Sequence, residues 1–180
     1  MDQTSAVWIL IVLSLGTASL PFIVKRPFLA LPWRQAGEAE RRPWLRWIES
    51  LVFFVLLGAL IFVAPRIIGQ AFFMASDFAS AGLFLAKVGG LVAVAVLLLA
   101  YPGWRNKGRA VTKSFFDGLL EVLVLYVLIG ALGFGFEANI GNPFAQGWEF
   151  YAITLSLFVV LAYPGFVYRY LLRHPKVKKG

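Results

Sequence analysis

Cysteine is absent from this 180-residue chain, and histidine occurs once, at His174. Disulfides, catalytic thiols and thiolate metal sites are therefore excluded. A lone histidine without cysteine partners cannot hold a metal by itself. Charge is scarce: 14% of residues are Asp, Glu, Lys or Arg, where soluble domains carry roughly 25%. No Lys or Arg precedes Lys25, so the basic region that opens a secretory signal peptide is missing. Also missing are a GxGxxG turn, a Walker sequence, a His-Glu zinc motif and a nucleophile elbow. These absences predict a protein without catalytic residues, cofactor or metal.

What remains is apolar: 60% of the chain is hydrophobic, with 17 Phe and 6 Trp. A helix needs about 20 apolar residues to cross a bilayer. Five stretches qualify, about Ala6–Val24, Ile48–Ala64, Gly82–Tyr101, Leu119–Phe136 and Trp148–Tyr168, the second being short. The expected fold is an all-α membrane protein with five transmembrane helices. The stretch Ile67–Ala81 is too polar for a clean crossing. It is expected along the outer interface as an amphipathic helix, or else as an extension of the third segment.

The net charge of +8 comes from basic residues that flank the apolar segments, so a membrane accounts for it and nucleic acid is not expected as a partner. Fifteen of the 17 basic residues fall after the first, third and fifth segments; Arg66 and Lys87 are the exceptions. The positive-inside rule then places the amino terminus outside and the carboxyl terminus in the cytoplasm. The basic tail, with Arg169, Arg173, Lys176, Lys178 and Lys179, is a candidate for binding anionic lipid.

An internal repeat organises the chain. Glu49–Phe62 (ESLVFFVLLGALIF) and Glu121–Phe134 (EVLVLYVLIGALGF) share nine of fourteen residues at an offset of 72. The following helix of each copy ends in LAYPG, at Leu99–Gly103 and Leu161–Gly165. Both copies start on the same side, so the two-helix repeat is expected to be parallel, not inverted. Residues 1–104 would hold the first helix and the first pair, and residues 105–180 the second pair and the tail.

Ionisable residues inside a membrane are costly and often functional. Glu49 and Glu121 match in the repeat, near the inner helix ends. They are candidates for local salt bridges or for registry contacts between repeats or to a partner helix. Lys87 lies within the third segment, where it can snorkel outward or pair with Asp77. Glu149 falls in the first turn of the last helix, where an acid complements the dipole. Gly58 and Gly130, also matched, are expected where helices approach closely.

Gln146–Ala152 (QGWEFYA) and Pro164–Leu171 (PGFVYRYL) resemble the closing segment of a family of small proteobacterial inner-membrane proteins, domain of unknown function 2818. Leu119–Tyr126 (LLEVLVLY) and Gly130–Glu137 (GALGFGFE) are similar to its middle helix, and Ala18–Phe22 (ASLPF) to the end of its first helix. Family members are shorter, with three helices, so this chain resembles the family module with one helix pair duplicated. Their genes typically lie just downstream of those for the membrane arm of proton-pumping NADH:quinone oxidoreductase. The resemblance implies a non-enzymatic accessory or assembly subunit of that complex, in the bacterial inner membrane, with membrane-arm subunits and the lipid bilayer as partners. A small oligomeric transporter or channel is the alternative; it would need a polar path across the midplane, and the segments offer none.

Overall fold

The computed structural model describes residues 3–71, 78–141 and 145–172. Among these the chain is helical, and its sole extended pairing is an isolated bridge between Ala36 and Thr112. Helix α1 is Gln3–Ala18 and α2 is Leu20–Ile23. The break between them falls just before Pro21, whose ring nitrogen cannot donate to the preceding turn. Helix α3 is Pro43–Gly69, α4 is Phe78–Arg105, α5 is Phe115–Ile140 and α6 is Trp148–Val167, which runs into a π-helical turn, Tyr168–Leu172. With α1 and α2 taken together, five helices among the described residues are long and apolar enough to cross a membrane.

The second crossing is not short. Helix α3 has 27 residues, because Pro43 opens its first turn and the helix continues through Pro65 to Gly69. Its polar ends are helical too: Arg66 reaches back over the Phe62 ring, 3.5 Å from the centroid. The expected interfacial helix over Ile67–Ala81 is divided otherwise. Ile67–Gly69 end α3 and Phe78–Ala81 begin α4, while residues 72–77, including Asp77, lie outside the described residues. Residues 173–180, with His174 and most of the basic tail, also lie outside them.

Helix α5 is the centre of the bundle. It packs against α1, α2, α3 and α6, whereas α4 packs its backbone closely against α3 alone. Ala18, Phe22, Val122, Leu125, Phe158 and Ala162 form one core between α1, α2, α5 and α6. Phe53 and Leu57 of α3 join Leu29, Ala30 and Leu31 of the loop that precedes α3 in another. Ala6, Ile68, Ala71, Phe84 and Phe136 close the opposite end.

Small residues set the α3–α5 spacing. A Cβ on Gly69 would lie 2.7 Å from that of Ala138, and one on Gly135 would lie 3.0 Å from Ile68. Asn139 of α5 donates to the carbonyls of Ile68 (3.1 Å) and Ala71. It thus ties the turn that ends α3 to α5.

The two sequence copies present different faces to each other. Leu120, Val124 and Leu128 of α5 pack on the cluster that contains Phe53 and Leu57. Their counterparts in the first copy, Ile48, Val52 and Leu56, are exposed. The counterpart of Phe53 is Leu125, which packs in the core shared with α1, α2 and α6.

Candidate functional site

The carboxyl ends of α2, α4 and α6 meet the amino ends of α3 and α5 at one end of the bundle. Two connecting loops, 24–42 and 106–114, close over it. They are joined by the Thr112 N–H donating to the Ala36 carbonyl at 2.9 Å. Gly37 makes that joint possible. Its φ is +85°, and a Cβ there would collide with the Ala110 carbonyl, so no L side chain fits either demand.

Nearly all the charge chemistry among the described residues is here, in three connected sets. In the first, the Lys113 ammonium meets the Glu121 carboxylate at 2.7 Å, with side chains 0% and 1% exposed. Lys113 also donates to the Pro21 carbonyl, and Glu121 accepts the Phe28 backbone N–H, both at 2.7 Å. The ion pair therefore locks loop 24–42 onto the start of α5. Burial pushes the Lys113 ammonium below the ordinary lysine value, against the opposing pull of Glu121.

In the second set, Ser114 and Asp117 form a reciprocal capping box that starts α5. The Trp33 indole N–H donates to Asp117 at 3.1 Å, which pins the same loop again. In the third, Arg105 at the end of α4 bridges Glu38 of the loop and Glu49 of α3. Glu49 also accepts from the Tyr101 hydroxyl at 2.7 Å and faces Arg41 at 3.5 Å. Every carboxylate in these sets faces a cation or a capping and indole donor. The arrangement neutralises charge and fastens loops; it leaves no free acid–base pair.

Glu49 and Glu121 thus both lie at this end, and neither bonds the other. Each holds the loop and helix nearest it. Gly58 and Gly130 meet no neighbouring atom within 4 Å of a Cβ position, so among the described residues they are not close-packing sites. The close approaches fall instead at Gly69, Gly118, Gly135 and Gly165. Lys87 is half-buried on α4 and has no ion pair among the described residues. Glu149 sits in the first turn of α6 with its carboxylate over the N-cap, Gly147.

The LAYPG repeat acquires a physical meaning here. A Cβ on Gly165 would lie 2.7 Å from the Ser19 carbonyl oxygen, and one on Gly103 would lie 3.3 Å from the Arg26 Cβ. Both glycines let the chain leaving α1 pass closely beside a helix end. Residues that sequence reasoning passed over, Glu38, Trp33, Arg105 and Asn139, make contacts across long sequence separations. The Ser114–Asp117 spacing, which sequence reasoning also passed over, is the local signal that could have marked this site.

Comparison with protein-family models gives two matches to one family, described as protein of unknown function (DUF2818), over residues 6–107 and 104–173. The chain belongs to that family. No curated protein and no solved structure gives a significant match.

Proposed function

We propose that this DUF2818 member is a non-enzymatic accessory or assembly subunit of the membrane arm of respiratory NADH:quinone oxidoreductase, acting by helix packing in the bacterial inner membrane. The observation that carries the reading is the division of surfaces. Polar side chains are turned onto the chain's own loops at one end, while the long flanks of α3 and α4 face outward with large apolar residues. Val52, Val55 and Leu56 on α3, and Leu85, Val92 and Val96 on α4, are exposed. Gly58, Gly82, Gly89 and Gly90 on these helices have open space above them. Small residues beside apolar side chains let another transmembrane helix approach closely, where packing drives association in lipid.

The partner itself rests on the gene-neighbourhood expectation attached to the family resemblance. The amino terminus lies outside and the carboxyl terminus in the cytoplasm, in accord with the basic loops and tail. The matched sequence motifs and the two successive family matches support a parallel duplication of one helix pair.

The test is purification of the tagged protein from its native membranes in mild detergent, with native gels and mass spectrometry. Stoichiometric recovery of membrane-arm subunits supports the subunit reading, and partly assembled intermediates support an assembly factor. Recovery of the chain alone or as a homo-oligomer, with the intact complex elsewhere, refutes both and favours a small transporter.

A further inference from the structure

A second polar feature lies at the same end of the bundle, outside the ion-pair sets. It is a groove of about 980 Å³ between the end of α2, the loop after α4 and the turn after α6. Lys25, Arg26, Lys107, Arg109 and Arg169 all line it, Phe22 contributes to its floor, and no carboxylate borders it among the described residues. We propose that this groove binds the phosphate headgroup of an anionic phospholipid.

The charge distribution carries the argument. Arg34, Arg41, Arg105 and Lys113 at this end are each matched by a carboxylate. Glu38, Glu40, Glu49 and Glu121 are thereby used up, and Asp117 is committed to the Ser114 cap and the Trp33 indole. Lys25, Arg26, Lys107 and Arg109 are exposed and have no ion pair among the described residues. A topology signal requires only a count of positive charges in a loop. It does not require cations from three separate parts of the chain to converge on one concavity.

The groove is also built to hold that convergence. Gly103 lets the Arg26 stem lie against α4. Arg169 donates to the Lys113 carbonyl at 3.3 Å, which holds its guanidinium at the rim with other N–H groups left over. Arginine's planar fork matches phosphate oxygens, and lysine adds point charge beside it.

The surroundings select a lipid over a soluble phosphate. Ile23 and Trp104, next in sequence to the lining residues Phe22 and Gly103, are exposed, and exposed Tyr168 and Tyr170 flank Arg169. Amphipathic rings of this kind concentrate at headgroup depth. Basic pockets between transmembrane helices are established headgroup sites in general.

The experiment uses the full chain, purified in an uncharged detergent and offered mixed micelles of phosphatidylglycerol or phosphatidylcholine. Lipid retained through gel filtration is measured as phosphorus. Phosphatidylglycerol is retained in preference to phosphatidylcholine. K25Q/R26Q and K107Q/R109Q each lower its retention about tenfold, since each removes two surface cations from the site. The charge-matched control R42Q/R46Q, at the same end but outside the groove, lowers it less than about twofold. Two separate groove doubles keep the test decisive if one of them loses helicity. Equal losses in control and groove variants would show attraction to general surface charge and overturn the proposal. Full displacement by inorganic phosphate at matched ionic strength would make the ligand a soluble anion and overturn the headgroup assignment.

Discussion

Replacing Lys113 by methionine removes one half of the buried ion pair and leaves the Glu121 carboxylate with only the Phe28 amide. At the observed 2.7 Å, an effective dielectric of about 20 gives a gross attraction of about 6 kcal/mol. Desolvation of the two ions offsets most of this, so the intact pair adds little net stability. Breaking it is another matter: a buried charge without its partner costs about 3–5 kcal/mol. In a domain of this size each kcal/mol shifts the midpoint by about 2–4 °C, so K113M should lower the Tm by about 6–20 °C. The assay is thermal loss of helicity by circular dichroism in one detergent. The double variant Lys113→Met with Glu121→Met should recover much of the loss, because no unpaired charge remains, giving a coupling of at least about 1.5 kcal/mol. A shift under about 2 °C for K113M, or strict additivity in the double, would refute the claim that this pair locks loop 24–42 to α5.

Three further outcomes are expected. Gly165→Ala should destabilise by about 1–3 kcal/mol, because its Cβ would press on the Ser19 carbonyl. Gly58→Ala, in open space on a helix, should stabilise by up to about 1 kcal/mol; paired thermal melts of the two variants check the opposite signs. The Lys113 ammonium, lowered by burial, should lose its proton at lower pH than an exposed lysine. Between that lowered value and the ordinary lysine value the unfolded chain binds more protons, so this group's contribution to stability rises with pH through that window; NMR titration of the labelled lysine checks the direction. The absence of cysteine permits a clean topology test. Cysteine placed at Ala145 should react with an impermeant thiol reagent in intact cells, and cysteine at Arg109 only after permeabilisation, whereas the reverse pattern would invert the assigned orientation.

The fold was legible in sequence to an uneven degree, and the unevenness has a cause. Helix existence was readable because a bilayer crossing needs a long apolar run. Helix ends were less so: α3 extends through Pro43 and past Arg66, since Trp, Arg and Pro at the interface remain helical while lowering apolarity. The Ser114–Asp117 cap is local, so its spacing could have been read, yet it was passed over. The partners of Glu49 and Glu121 were not legible, because Phe28, Tyr101 and Arg105 reach them only through tertiary contacts.

The glycines show the boundary most clearly. The repeat drew attention to Gly58 and Gly130, which match in sequence yet have empty space around them. Gly135, which does sit at a tight approach against Ile68, has no glycine counterpart in the other copy. In a soluble helix the buried face is marked by a polar face opposite. In these helices all faces are apolar, so periodicity cannot say which one turns inward. Composition and charge placement by themselves determined five apolar helices with a strongly basic end. Only the tertiary structure decided which faces pack, which charges neutralise one another and which are left together in a groove, because those outcomes depend on groups that meet across the bundle and not along the chain.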